Sequence, residues 1–284
     1  MKNVIKGLFL TVIITLCGCM NNDSMEDITI YTTTYPIEYV VNRLYDNHST
    51  IKSIYPNGVD VKNYEVTNIL LDEYSNTDMF IFNGLDNEKN YVKSMLKKND
   101  DLKIIDATDG LTYTYYNEEL WLNPNNVLAM ANNIKKGFNE YIQNSYLKKE
   151  IEENYEELKK DLTSIDAKYR NTAQQSNNTI VVSNNMFLFL KKYGMNVISL
   201  EENSETFQKD LTAVKSLIDN GKIKYIYVLE GEQPSETITS LTNGTNIELI
   251  ELHTLSNLND DEKAKYDYLS LLNQNLESLK LQLY

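Results

Sequence analysis

Cysteine is nearly missing from this 284-residue chain: the two it has, Cys17 and Cys19, lie near the N-terminus with only Gly18 between them. Beyond that segment no thiol is left to act as a nucleophile, bind a metal or form a disulfide. Positive charge is also scarce. Lysine and arginine number 27 against 41 aspartates and glutamates, a net charge of −14 that repels a phosphate backbone or an anionic bilayer. Nucleic-acid binding is therefore excluded. Histidine occurs twice, at His48 and His253, and there is no phosphate loop, HExxH or nucleophile elbow. The adjacent carboxylates Glu118-Glu119 and Glu201-Glu202 do not converge on one bond, so they give no acid/base pair, and the chain does not read as an enzyme. The apolar run Leu8 to Leu16 is too short to span a bilayer, which needs ~20 residues. At 42% hydrophobic and 10% aromatic, however, the chain is too apolar to be a disordered polyanion. Its length suits roughly two domains of ~100 to 200 residues.

The N-terminus carries Lys2 and Lys6, then the apolar run, then Leu16-Cys17-Gly18-Cys19, the order of a secretory signal. Leu-x-Gly-Cys resembles the bacterial lipobox. That resemblance implies a signal peptide over 1–18, diacylation of the Cys19 thiol, and a polar tether over 19–27. The lipid, rather than charge, is expected to hold the protein on the extracytoplasmic face of the cell membrane.

From Ile28 onward, short β-rich runs alternate with amphipathic stretches: Ile28 to Thr32, Ile51 to Tyr55, Met79 to Phe82 and Lys103 to Asp106 read as strands. Pro36 opens the first helix. Then the period changes. Leu147, Ile151, Tyr155, Leu158, Leu162, Ile165 and Tyr169 step by three or four, an unbroken helical stripe of ~25 residues and nearly 40 Å. After polar Asn171 to Asn178 the β/α alternation restarts, with Met186 to Tyr193 read as a helix stopped by Gly194 and one final helix following Asn259. The pattern predicts an α/β protein of two lobes, each a mainly parallel sheet flanked by helices, joined by one long rigid linking helix. The expected boundaries are 28–144 for the first lobe, 145–172 for the linking helix and 173–284 for the second lobe. A cleft should face the strand C-termini, where open α/β sheets bind ligands. His48, in the polar run Asp46 to Ser49, reads as a solvated loop residue, and Trp121 as packing at the start of a helix.

Several stretches then match a known family in order and spacing: Thr33-Thr34-Tyr35-Pro36, Ile54 to Asp60 with Tyr64-Glu65, Phe82-Asn83-Gly84-Leu85, Leu120 to Pro124, Tyr193-Gly194, and Asn275-Leu276-Glu277. The chain resembles, over nearly its whole length, the zinc and manganese substrate-binding lipoproteins of bacterial ABC importers, also called metal-binding adhesin-like lipoproteins. The resemblance implies a divalent ion, zinc or manganese, as cargo in the cleft, an ABC permease in the membrane as partner, and a monomer that performs no bond chemistry. An adhesion or interaction lipoprotein that kept the scaffold and lost metal binding is the alternative reading.

Family members supply two histidines from the first lobe, a histidine or glutamate from the second, and an acidic residue near its last strand. This chain departs at most of those positions. It has Lys62 at the first, Glu119 preceded by Glu118 at the second, Asn184 or the neighbouring Ser183 at the third, and His253 or, with the register slipped by two, Glu251 at the fourth. A protonated lysine has no lone pair to give a metal. Two arrangements are therefore open. The Lys62 ammonium takes the place of the cation, paired with Glu119 and Glu118; or a weakened metal site uses Glu119, Glu118, Asn184 and His253 while Lys62 turns outward.

Overall fold

The computed structural model describes residues 25–85 and 87–284. The signal peptide expected over 1–18 and the expected lipidation site Cys19 lie outside the described residues. Two four-stranded sheets form, both parallel throughout. The first contains β1 (Ile28–Thr32), β2 (Ser49–Ser53), β3 (Met79–Phe82) and β4 (Lys103–Asp106) in the order β2-β1-β3-β4. The second repeats that order as β6-β5-β7-β8, with β5 (Thr179–Val182), β6 (Asn196–Ser199), β7 (Tyr225–Leu229) and β8 (Glu248–Leu252). In each sheet the chain leaves the first strand in one direction and returns on its other side. The crevice beyond the strand C-termini at that reversal is where the loops of both lobes gather.

The helices follow from their caps and apolar faces. α1 (Tyr35–Tyr45) starts on Pro36 and buries Ile37, Val40, Val41 and Leu44. α2 (Asn68–Tyr74) and α3 (Glu88–Leu96) cover the outer face of the first sheet, around a core of Ile54, Phe80, Phe82 and Met95. α4 (Glu119–Leu122) is a single turn, and Asn123 caps the α5 helix (Pro124–Tyr141) that follows. α6 (Ser145–Gln174) is capped by Asn144, whose side chain accepts the Tyr146 N–H, and its 30 residues give a rod of ~45 Å. Its buried stripe is Leu147, Ile151, Tyr155, Leu158, Leu162, Ile165 and Tyr169. That stripe packs on α5 and α1 of the first lobe and on α10 (Tyr268–Leu283) at the C-terminus, so one continuous apolar core runs through both lobes. Two second-lobe helices, α7 (Phe207–Asp219) and α8 (Glu236–Thr242), enclose a smaller core around Val181, Ile226 and Val228. No described helix is long and apolar enough to cross a membrane.

Three local expectations change. The segment expected as an α-helix from Met186 forms a 3₁₀ helix over Asn185–Tyr193, stopped by Gly194 at φ 91°. Its buried residues Phe187, Leu190 and Tyr193 recur every third position, the period of a 3₁₀ helix. The single final helix expected after Asn259 is two. α9 (Asp260–Lys265) ends, and Asp267 starts α10 with its own reciprocal capping box to Ser270. His48 is no solvated loop residue: its Nε2 lies 3.1 Å from Glu150 Oε2 on α6, and its ring sits 5.3 Å from that of Tyr45. Trp121 is packing, as expected, and 1% exposed; its Nε1 also donates to the Thr254 carbonyl at 2.9 Å, across the two lobes.

Removing the centre of the α6 stripe should be costly, because both lobes lean on it. Leu158→Ala is expected to destabilise the fold by about 2–5 kcal/mol in denaturant titration. Tyrosine burial sets a second expectation. Burial pushes the hydroxyls of Tyr39 and Tyr45 up to about 12 and holds that of Tyr268 well above its ordinary value. Groups raised in the fold contribute stability that is present below the unfolded value near 10 and lost as pH rises through the folded one. The thermal midpoint should therefore fall steeply between about pH 10 and 12, together with the rise of tyrosinate absorbance; a midpoint flat across that range would contradict this reading.

Candidate cleft site

Loops from the C-terminal ends of the strands build the site. The turn after β2 meets the segment after β8: Gly58 N–H donates to the Leu258 carbonyl at 3.0 Å, and Asn257 Nδ2 donates to the carbonyls of Pro56 and Val59 at 2.7 and 3.1 Å. Tyr35 N–H donates to the Ser256 carbonyl at 3.0 Å. These backbone ties close one side of the cleft. They leave a cavity of about 370 Å³ between the lobes, lined from the first by Gly58 to Lys62 and Glu118, and from the second by Leu229 to Glu232, Thr254, Ser256 and Asn257.

Lys62 and Glu118 meet there. Lys62 Nζ lies 2.7 Å from Glu118 Oε1, and the glutamate side chain is 2% exposed against 47% for the lysine. The other oxygen, Glu118 Oε2, is buried without a hydrogen-bond partner. A buried carboxylate oxygen with no hydrogen-bond donor is costly. The Lys62 ammonium also lies 5.2 Å from the centre of the Tyr116 ring.

The pairing falls on Glu118 rather than on Glu119, and the reason is local. Glu119 opens α4 and turns back on the loop before it. Its carboxylate accepts the backbone N–H groups of Thr114, Tyr115 and Tyr116 at 3.2, 2.7 and 3.0 Å. Those bonds take up its oxygens and pin the loop. The tip of that loop reaches the second lobe, where the Tyr116 hydroxyl donates to Glu201 Oε2 at 2.9 Å. Burial, with Glu201 next, pushes the Tyr116 hydroxyl up to about 12.

Asn184 and Ser183 line a separate hollow at the ends of β5 and β7, together with Glu201 and Glu232. Asn184 caps the 3₁₀ helix by accepting the Met186 N–H at 2.8 Å, and its side chain eases the upward shift of the Tyr116 hydroxyl. Burial raises the Glu232 carboxyl above its ordinary value, Lys62 works against this, and Glu201, Asp60 and Glu118 add to it. Among the described residues lining the cleft, several acids thus surround one lysine.

His253 stands to one side. It lies with Glu251 in a smaller hollow at the outer edge of β8. Its Nε2 is 3.1 Å from Glu230 Oε2 and 3.5 Å from Glu262 Oε1, and among the described residues these three form the one group whose ligand atoms lie close enough together for a metal ion. The ring chemistry opposes that use. Nδ1 accepts the Leu255 N–H at 2.8 Å, so the ring proton belongs on Nε2, the atom a metal would need. Asn275 fixes the backbone on both sides, accepting the His253 N–H and donating to its carbonyl. Burial is the largest influence on Glu230 and raises its carboxyl despite His253.

Of the residues expected at the site, the structure therefore brings Lys62 and Glu118 together, gives Glu119 to the loop, seats Asn184 as a helix cap near Tyr116, and sets His253 and Glu251 aside. The sequence reading missed the Tyr116–Glu201 bridge and the acids Glu230 and Glu232. The latter two flank Gly231 directly after β7, a strand C-terminus at the cleft, and that position was the available signal.

The family described as zinc-uptake complex component A, periplasmic, matches residues 30–281. The zinc-binding lipoprotein AdcA of Streptococcus pneumoniae is 22% identical over 293 residues, covering 93% of this chain and 58% of its own length. The zinc-binding protein AdcA of Streptococcus pyogenes is likewise 22% identical, over 301 residues, 89% of this chain and 56% of its own. The chain thus spans a little over half the length of these relatives, and 7% of a Plasmodium falciparum protein, PFC0760c, that it matches at 26% identity over 272 residues. Among solved structures, the metal-dependent lipoprotein YcdH of Bacillus subtilis superposes with a TM-score of 0.73 at 22% identity, covering 90% of this chain and 99% of that one. The laminin-binding protein Lbp of S. pyogenes does so at 0.71 and 18%, covering 91% and 100%. These likenesses establish the two-lobed fold, and the match over residues 30–281 establishes that the chain belongs to the family of periplasmic zinc-uptake component A proteins, which are binding components rather than enzymes.

Proposed function

We propose that this protein is the extracytoplasmic, lipid-anchored binding component of an ABC importer for divalent metal of the zinc or manganese class, and that its cleft holds an internal cation, Lys62, where cargo must enter. The observation that carries this is the Glu118 carboxylate, buried between the lobes with one oxygen on Lys62 and the other without a partner. An incoming dication would satisfy both oxygens while Lys62, nearly half exposed, swings to solvent. Asp60, Glu230 and Glu232 line the same cavity and supply further oxygen donors as the lobes close. An oxygen-only lining suits manganese at least as well as zinc, because the imidazoles that favour zinc are replaced.

In this reading Cys19 carries the lipid, the lobes 28–144 and 173–284 close slightly about the helix of 145–172, and the loaded monomer docks on a membrane permease. The stiffness of α6 and the continuous core across the lobes support a small closure over a large hinge. A self-paired cleft also favours a second reading, an adhesion or interaction lipoprotein on the same scaffold. Growth of a deletion strain under metal chelation separates the two: slowed growth that metal restores supports import, whereas normal growth with lost surface attachment supports adhesion.

The direct test is titration of zinc and of manganese into chelator-stripped protein. Because the ion must displace an ammonium, the wild type is expected to bind with a dissociation constant weaker than ~1 μM, near −8 kcal/mol. Lys62→His, which removes that competitor and adds a ligand, should tighten binding by about tenfold or more, ~1.4 kcal/mol. Micromolar or tighter binding by the wild type, unchanged in Lys62→His, would reject the internal cation.

A further inference from the structure

We propose that the first lobe carries a second binding pocket, walled by tyrosines and fitted to a neutral saccharide, beside the cation cavity and sharing Lys62 with it. The pocket has a volume of about 280 Å³ and is lined by Tyr55, Tyr64, Tyr91, Tyr113, Tyr115 and Tyr116. A tyrosine ring offers an apolar face at one side and a hydroxyl at the end, the combination that takes the C–H face and the hydroxyls of a sugar ring. The volume falls just below the ~300 Å³ at which drug-sized pockets begin, which suits one or two sugar rings.

The pocket is built in advance. Tyr55 and Tyr64 meet edge to face at 5.9 Å, and the Tyr55 hydroxyl donates to Glu88 at 3.2 Å. Tyr113 and Tyr115 are 42% and 48% exposed, yet their loop is held by the three N–H bonds that Glu119 accepts at 114 to 116. Exposed aromatic rings on a pinned backbone lose little entropy when a ligand arrives.

Charge selects the ligand class. Among the described residues two charged groups line the pocket, Lys62 and Glu88, and both are occupied: Lys62 by Glu118, and Glu88 by the Asn83 N–H and the Tyr55 hydroxyl. In a chain of net charge −14, the described charges lining this hollow are one of each sign and each already has a partner.

The test uses the chain without its N-terminal leader, treated with chelator so that metal plays no part. Lactose, maltose and cellobiose serve as probes in saturation-transfer NMR and calorimetry. At least one is expected to bind with a millimolar or tighter dissociation constant, and the Tyr113→Ala/Tyr115→Ala double variant to bind about tenfold more weakly. Both positions are exposed, so the variant should keep the wild-type circular dichroism. Tyr146→Ala, at an exposed tyrosine on α6, should leave binding unchanged. Three results would each overturn the proposal: no transfer from any of the three disaccharides, equal binding by the double variant, or preferential binding of tetramethylammonium, which would make the pocket a cation cage. Failure of the metal reading would leave these outcomes untouched, because no metal is present.

Discussion

A carboxylate almost wholly out of water has to find positive charge, and for Glu118 that charge is the ammonium of Lys62 at 2.7 Å. The rest of the cleft is arranged around this contact. Asp60, Glu230 and Glu232 line the same cavity, so among the described residues lining it the lysine is the one cation beside several acids. Lys62 keeps its ammonium 5.2 Å from the centre of the Tyr116 ring and about half its side-chain surface in solvent, so it can leave without unfolding anything. Glu118, by contrast, has nowhere to go. The cavity therefore keeps a standing demand for a cation whichever one supplies it.

Rigidity elsewhere makes that demand specific to the cleft. The buried stripe of α6 ties α1, α5 and α10 into one core across both lobes, and Trp121 and Asn257 stitch the lobes on the closed side. Opening is left to the other side, where the Tyr116 hydroxyl on Glu201 bridges the lobes. One short chain segment thus holds three devices in sequence: a latch at Tyr116, an ion-pair partner at Glu118 and a loop brace at Glu119.

Much of this was legible in the residues themselves. The parallel sheets, the long α6 stripe and the Gly194 stop follow from periods and caps, which are local properties. The limits were set by competition that only the fold reveals. Adjacent Glu118 and Glu119 look alike in sequence, yet one carboxylate turns to backbone N–H groups four and five residues behind it while the other faces the cavity. His253 occupies a cleft-edge position, but the Leu255 N–H two residues on claims its Nδ1 and turns Nε2 toward Glu230 and Glu262. The split of the last helix at Asp267 was readable as a capping box and was hidden by the apolar stripe that follows it.

The central claim, that the lysine serves as the resident cation of a buried carboxylate, is tested most directly by a double-mutant cycle at positions 62 and 118 in metal-free protein. Removing the lysine alone should strand a buried charge, so Lys62→Met is expected to destabilise the fold by more than the Lys62→Met/Glu118→Gln double variant does, with a coupling of about 1 kcal/mol or more. Additive effects, with the double variant costing the sum of the singles, would contradict it.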